Sequence, residues 1–97
     1  MLNGETMETY TCPVCGYSKL HHPARDPNTG DPSFEICPSC GCEFGYDDAT
    51  QSAIEKYRSN WISRGAPWFR PEFRPENWSL KRQVKRVGIN LDDLNHR

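Results

Sequence analysis

The chain has 97 residues, of which 35% are hydrophobic and 26% are charged. A chain of this length forms one domain, and it buries too little apolar surface to be stable without an added constraint such as disulfides or a metal. No run of residues is apolar and long enough to span a bilayer, and the first ten residues lack the basic and apolar regions of a signal peptide. We therefore expect a cytoplasmic protein without membrane contact, whose cysteines are reduced.

The formal net charge of −1 conceals an asymmetry between the two halves of the chain. Residues 1–48 contain two basic and eight acidic residues, whereas residues 49–97 contain ten basic and five acidic ones. One interpretation is that the acidic half lies against the basic half. The other is that the basic half presents a face to an acidic partner.

Residues 10–48 carry all five cysteines, in the phrases "YTCPVCGY" and "EICPSCGCEF". The flanks "ETYTC" and "SFEIC" predict short strands, because their aromatic and β-branched residues suit a pleated sheet. The intervening "HHPARDPNTGDPS" predicts a surface loop, since proline, glycine and aspartate favour turns. We expect its histidines, His21 and His22, to be solvated.

A helix is predicted to follow the cysteine segment and to begin near Asp48, with Asp47 or Asp48 as its N-cap. We interpret these two carboxylates as caps and not as a catalytic pair. Apolar side chains recur at helical spacing as far as Gly65, which ends the helix. The apolar face comprises Ile54, Tyr57 and Trp61.

The stretch "GAPWFRPEFRPENW" predicts extended chain, because proline biases the residue before it away from helix. A second helix is expected from about Pro75 to Val87. Its basic residues would form one face, which could touch nucleic acid or an acidic protein, although a pI near 6.3 is low for a nucleic-acid-binding protein. Those residues are Lys81, Arg82, Lys85 and Arg86. The expected aromatic core comprises Trp61, Trp68, Phe69, Phe73 and Trp78.

Two Cys-x-x-Cys pairs, Cys12 with Cys15 and Cys37 with Cys40, predict a single metal site. Each pair can place two sulfurs on one tight turn, and the glycine that follows each pair permits a positive φ angle there. Four thiolates make a closed tetrahedral site, for which the sequence predicts one zinc ion, with iron as the alternative. We expect the fifth cysteine, Cys42, to be a small buried or half-exposed side chain, with thiol reactivity or ligand exchange as the alternative.

These motifs resemble known families. "YTCPVCGY" and "ICPSCG" are similar to the two metal-binding turns of rubredoxin-type zinc ribbons. "CGY", "FEICPSC" and "YDD" resemble the small bacterial cysteine-rich CPCC family. The resemblance implies four cysteine ligands in an uncharacterised bacterial protein. The predicted fold is therefore a small α+β protein in one domain, residues 1–97. Residues 10–48 would form a rubredoxin-like zinc β-ribbon, and residues 49–97 a helical, aromatic and proline-rich extension.

Three functions remain open at this point. The first is a non-enzymatic interaction or regulatory protein, with a structural zinc ion and a protein partner. The second is a rubredoxin-like iron electron carrier. The third is a nucleic-acid-binding protein that uses the basic C-terminal helix. No phosphate-binding loop, nucleophile elbow or catalytic triad pattern occurs in the sequence.

Overall fold

The computed structural model describes residues 8–94 of the chain. Helix α1 spans Gln51–Ser63, a single 3₁₀ turn spans Pro71–Phe73, α2 spans Leu80–Lys85 and α3 spans Leu91–Leu94. The cysteine segment precedes these helices and consists of turns and loops. Residues 1–7 and 95–97 of the predicted domain lie outside the described residues. No helix within residues 8–94 is long and apolar enough to cross a membrane.

The predicted α+β class with a rubredoxin-like zinc β-ribbon is wrong, because residues 8–94 contain no β-strand. The cysteine segment makes only isolated antiparallel bridges. These bridges join Tyr10 to Leu20, Arg25 to Pro32, and Ile36 to Glu43. The molecule is instead a small domain in which short helices pack against a folded arrangement of turns.

Local backbone geometry keeps the bridges from extending into strands. Tyr10 and Leu20 exchange both backbone hydrogen bonds, at 2.9 and 3.0 Å, and the next bond along joins Cys12 to Tyr17. The first segment advances by two residues between these bonds, from Tyr10 to Cys12, whereas the second segment covers three, from Leu20 back to Tyr17. Because the two spacings differ, a regular ladder of hydrogen bonds cannot continue. Beside the later bridge, Phe34 has a φ of 64°, which lies outside the extended region that a strand requires.

Helix α1 begins at Gln51, three residues after Asp48, because Thr50 is its N-cap. The Thr50 hydroxyl accepts the backbone N–H of Ala53 over 3.0 Å. The predicted capping role of Asp47 and Asp48 is therefore wrong. Their carboxylates accept backbone N–H groups four and three residues earlier in the chain, at 3.0 and 2.7 Å. They shape the loop that precedes the helix.

The ends of the helices follow glycine and capping chemistry. Helix α1 ends before Gly65, as predicted, and the φ of 93° at Gly65 turns the chain out of the helix. Helix α2 is shorter than the predicted helix and begins at Leu80, because the Ser79 hydroxyl accepts the N–H of Arg82 over 3.2 Å. Between the end of α1 and Ser79, the 3₁₀ turn is the only helical element.

The core is centred on the cysteines, all five of which are buried. Trp61 is fully buried in the same cluster, as predicted. Trp68 and Trp78 are only partly buried. The prediction that Phe69 and Phe73 are core residues is wrong, because their exposed fractions are 54% and 47%. Sulfur atoms occupy the centre of this small domain, so these two aromatic rings lie at its surface.

Candidate metal centre

The two Cys-x-x-Cys pairs lie on turns with the same backbone pattern. In the first knuckle, residues 12–17, the Cys12 N–H donates to the Tyr17 carbonyl over 2.7 Å, and the Gly16 N–H donates to the Cys12 carbonyl over 3.0 Å. The second knuckle, residues 37–42, has the same two bonds. The Cys37 N–H donates to the Cys42 carbonyl and the Gly41 N–H donates to the Cys37 carbonyl, both over 2.9 Å. Each turn thus projects its two cysteine side chains in the same manner.

The knuckles face each other and bring four sulfurs together. The Sγ atoms of the four cysteines all lie within 4.8 Å of one another, and all four side chains are buried. Across the interface, Cys12 Sγ lies 3.9 Å from Cys40 Sγ, and Cys15 Sγ lies 3.7 Å from Cys37 Sγ. The described cysteines are free thiols, so no disulfide accounts for the cluster.

These sulfur separations fit a tetrahedral metal site. A metal–sulfur bond of about 2.3 Å places the sulfurs of a tetrahedron about 3.8 Å apart. The cross-knuckle separations of 3.7 and 3.9 Å lie on either side of that value, whereas a disulfide requires about 2.05 Å. The cluster could therefore hold one metal ion. Its geometry suits zinc and a single iron ion equally.

Backbone groups of the first knuckle also point at sulfur. The Val14 N–H donates to Cys12 Sγ and the Tyr17 N–H donates to Cys15 Sγ, both over 3.4 Å. The second of these bonds needs the turn at Gly16, whose φ is 89° and lies in the region that favours glycine. Such bonds stabilise negative charge on sulfur, because the partial positive charge of the N–H group faces it.

Burial and mutual hydrogen bonds shift the pKa values of Cys12, Cys15 and Cys40. Burial raises the pKa of Cys12 well above its usual value, and hydrogen bonds with the other thiols raise the pKa of Cys40. Burial also opposes ionisation of Cys15, but hydrogen bonds from the other three thiols, together with the Tyr17 N–H, lower the pKa of Cys15 well below its usual value. Neighbouring thiols can thus hold one negative charge, whereas ionisation of all four requires a cation.

Helix α1 contacts the first knuckle through a buried arginine. Arg58 Nε donates to the Val14 carbonyl over 2.6 Å, and its Nη2 donates to the Pro13 carbonyl over 3.3 Å. The exposed fraction of Arg58 is only 8%. A buried guanidinium needs compensating negative charge, and four thiolates around a divalent ion would carry a formal charge of about −2.

Helix α2 contacts both knuckles. Arg86, its C-cap, donates from Nη1 to the Gly16 carbonyl over 2.9 Å. The buried Gln83 donates from Nε2 to the Ser39 hydroxyl over 2.9 Å and accepts the Trp78 indole N–H over 2.7 Å. Two helices and the chain before α2 are thereby attached to the turns that carry the cysteines.

The second knuckle is also contacted by Tyr57 and by extended chain. The Tyr57 hydroxyl donates to the Cys40 carbonyl over 3.0 Å, and burial raises the pKa of Tyr57 to about 12, which keeps the hydroxyl protonated as a donor. The backbone N–H groups of Phe69 and Arg70 donate to the carbonyls of residues 39 and 38, at 3.0 and 2.8 Å. The C-terminal half therefore satisfies the outward carbonyls of both knuckles.

The acidic and basic halves meet through these carbonyl contacts and not through ion pairs. Within the described part of the chain, every ion pair joins residues of the same half. The pair between Arg25 and Asp48, at 3.1 Å, has the most buried carboxylate, whose exposed fraction is 1%. The basic half thus contacts the acidic half through Arg58 and Arg86, which bind knuckle carbonyls.

The remaining candidate residues lie away from the sulfur cluster. Cys42 is fully buried, as predicted, and is not one of the four clustered cysteines. His21 and His22 are exposed, and His22 Nδ1 lies 3.1 Å from Glu35 Oε2. The four basic residues of the predicted face are all exposed. Among them, Lys81 pairs with Asp92 over 3.0 Å, and Arg86, the C-cap of α2, donates to the Gly16 carbonyl.

Sequence reasoning missed the roles of Arg58 and Gln83 beside the cluster. A signal for both was present in the helical periodicity. Arg58 lies four residues after Ile54 and three before Trp61, on the apolar face of α1. Gln83 is likewise three residues after Leu80 on the buried side of α2. A polar side chain at an apolar register position indicates a specific hydrogen-bonding role.

The fold and the cluster define a class: a small, largely irregular domain with a buried four-cysteine site that could hold a metal ion. The chain is 34% identical to the uncharacterised protein YozI of Bacillus subtilis strain 168 over 82 residues, which cover 69% of this chain and 68% of YozI. It is 32% identical to the uncharacterised protein YoaQ of the same strain over 81 residues, which cover 69% of each chain. The chain belongs to the family of YozI and YoaQ. No family model matches it, and no solved structure matches it.

Proposed function

We propose that this protein is a non-enzymatic, zinc-binding protein of the bacterial cytoplasm, of the CPCC type, that holds a protein partner through its C-terminal half. The observation that carries the proposal is the buried set of four sulfurs with cross-knuckle separations of 3.7 and 3.9 Å. Four free thiols in so small a space favour a cation, and reduced cysteines are typical of the cytoplasm.

A structural role for the metal follows from the closure of the site. The four cysteines, which are at most 4% exposed, would occupy every position of a tetrahedral ion. No position would remain for water or substrate, so hydrolytic metal catalysis is not expected. Zinc is proposed over iron because closed four-cysteine sites are a common structural use of zinc.

The surface of the C-terminal half supports the proposed partner. Phe69 precedes the 3₁₀ turn and Phe73 is its last residue, and their exposed fractions are 54% and 47%. Aromatic side chains are enriched in protein interfaces, where they contribute a large contact area. Arg70 lies 5.3 Å from the centroid of the Phe73 ring, so a cation accompanies the aromatic surface. This combination suits a partner that offers apolar and acidic groups.

Metal content tests the first part of the proposal. Protein purified without added metal should contain one equivalent of zinc by elemental analysis and should show no visible absorption. A red protein that contains iron and bleaches on reduction would replace this proposal with the electron carrier. Protein that contains no metal and melts at the same temperature with and without chelator would contradict a structural metal.

Partner capture tests the second part. The native chain should retain a defined protein from a cell extract, and the double variant Phe69→Ser, Phe73→Ser should lose it while metal content stays the same. Tyr46→Ser is the matched control, because Tyr46 is 73% exposed but belongs to the first half. Equal capture by both variants would contradict the assigned surface. Salt-sensitive mobility shifts of DNA or RNA by the purified protein would favour nucleic-acid binding instead.

A further inference from the structure

A cavity of about 310 Å³ lies between the first knuckle and the chain around α2. Its volume is at the lower end of the range for small-molecule sites. The aromatic and cationic residues of its wall are Tyr17, Lys19, Trp68, Phe73, Trp78, Arg82 and Arg86. The cavity is separate from the sulfur cluster and takes no part in the proposed metal site.

The aromatic wall is fixed by perpendicular ring contacts. The rings of Tyr17 and Trp68 have centroids 5.7 Å apart at 86°, and those of Trp68 and Trp78 are 5.7 Å apart at 84°. The Trp78 indole N–H donates to Gln83 over 2.7 Å, and the Arg74 guanidinium lies 5.9 Å from the Trp78 ring centroid. These contacts hold the rings in place before any ligand arrives.

The charge of the wall is positive. Lys19, Arg82 and Arg86 line the cavity, and none of its described lining residues is acidic. The chain as a whole carries a net charge of −1, so this concentration of cations is local. These cations favour a ligand with acceptor oxygens.

We propose that this cavity binds a small organic anion with a flat unsaturated ring, such as an aromatic carboxylate. The ring would contact the aromatic wall, and the carboxylate would face the guanidinium of Arg82, whose planar donors match it. The proposal goes beyond the function proposed above. It shares two features with that function. Phe73 lines the cavity and also belongs to the proposed partner surface, and Gln83 and Arg86 attach the wall to both knuckles by binding Ser39 and the Gly16 carbonyl.

The test is a titration of the full, metal-loaded chain with 2-naphthoate, followed by the indole N–H resonances of its three tryptophans. We expect saturable binding of one equivalent, with shifts of the Trp68 and Trp78 resonances. Trp61 is the internal control, because its indole N–H is bonded to the Pro67 carbonyl over 2.8 Å and the side chain is fully buried. Absence of saturation, or a largest shift at Trp61, would overturn the proposal.

Ligands that lack either the negative charge or the aromatic ring test which of the two features the cavity recognises. Neutral 2-naphthamide should bind at least about tenfold more weakly than 2-naphthoate, and inorganic phosphate should not compete. Equal affinity for 2-naphthoate and 2-naphthamide would show that the cations do not select the ligand and would overturn the proposal. Displacement of 2-naphthoate by phosphate at an equal concentration would overturn the requirement for a ring.

A variant distinguishes this proposal from the metal function. Arg82→Gln should weaken 2-naphthoate binding about tenfold while metal content and melting temperature stay unchanged. The matched control is Arg64→Gln, at an exposed arginine outside the cavity lining, which should bind as the native chain does. Equal affinity in both variants would contradict the assigned site. Naphthoate binding by protein that contains no metal would contradict the metal function and leave the cavity proposal standing.

Discussion

Arg58 of helix α1 donates to the backbone carbonyl of Val14 over 2.6 Å, although 44 residues separate the two in sequence. Val14 is one of the two residues between the cysteines of the first pair, and both Arg58 and Val14 are buried. A positive charge is therefore held beside four thiols, where a metal–thiolate cluster would carry negative charge. This contact joins the helical half of the chain to the candidate metal centre.

Arg58→Met should destabilise the protein. The variant keeps the apolar stem but leaves the carbonyls of Pro13 and Val14 without their donor, at a cost of about 2 to 3 kcal/mol in the free energy of unfolding. Urea denaturation of the protein as purified measures the change. Arg64→Met, at an exposed arginine just after α1, should change stability by less than about 0.5 kcal/mol. Similar losses in both variants would count against a specific role for Arg58.

Removal of the metal should unfold the cysteine segment. A strong chelator should abolish the near-ultraviolet circular dichroism of the aromatic residues, because the segment has no strand to keep its turns in place. Addition of one equivalent of zinc should restore the signal. A chelated sample that keeps its near-ultraviolet spectrum and its melting temperature would show that the cluster needs no ion.

Substitution of single cysteines should separate the four clustered residues from Cys42. Cys37→Ser should lower the bound metal well below one equivalent, because serine does not replace a thiolate in a closed site. Cys42→Ser is a matched control, since Cys42 is equally buried but lies outside the cluster. It should keep a full equivalent of metal. Elemental analysis of both purified variants decides the matter, and metal loss in Cys42→Ser alone would reassign the ligand.

The two knuckle glycines should differ in their response to alanine. Gly16 and Gly41 have φ angles of 89° and 79°, so alanine costs about 1 to 2 kcal/mol at either position through backbone strain. At Gly16 the new Cβ would also lie 1.9 Å from the Gln83 carbonyl oxygen, whereas at Gly41 its nearest neighbour would be 3.4 Å away.

Gly16→Ala should therefore cost at least about 2 kcal/mol more than Gly41→Ala, because α2 must move away from the first knuckle. The free energies of unfolding of the two variants, measured in parallel, give the comparison. Equal destabilisation would mean that α2 does not pack against Gly16 in solution.

Asp48 and Thr50, which precede α1, should stabilise the protein in different ways: Asp48 through the loop around Gly45 and Thr50 as the helix cap. Asp48→Ala removes the acceptor for the Gly45 N–H and the partner of Arg25, so we expect a loss of about 2 to 3 kcal/mol. Thr50→Ala removes the helix cap and should cost about 1 kcal/mol. Chemical denaturation of both variants measures these losses. A larger loss for Thr50→Ala would restore the interpretation of this region as a capping segment alone.

The placement of helices was only partly predictable from the sequence. The apolar residues of α1 recur at helical spacing, and Trp61 is buried as that pattern indicates. The N-cap was misassigned because Asp48 and Thr50 are both good capping residues, and only the loop around Gly45 determines which one is used. Side-chain hydrogen bonds to distant backbone leave no trace in a local pattern.

The predicted ribbon failed for a related reason. Aromatic and β-branched residues flank the cysteines, but a strand also needs matched spacing on its partner. The extra residue between Tyr17 and Leu20 and the positive φ of Phe34 break that spacing. Neither feature is visible in residue propensities.

The sequence by itself determined the spacing of the two cysteine pairs and the glycine after each, because a two-residue gap and a positive φ angle are local properties of a turn. Only the tertiary structure decided that the two turns face each other with sulfurs 3.7 and 3.9 Å apart. It also decided that Arg58 and Gln83 contact the turns and that Phe69 remains at the surface. Those outcomes depend on how distant segments share a small volume, which no local pattern of residues specifies.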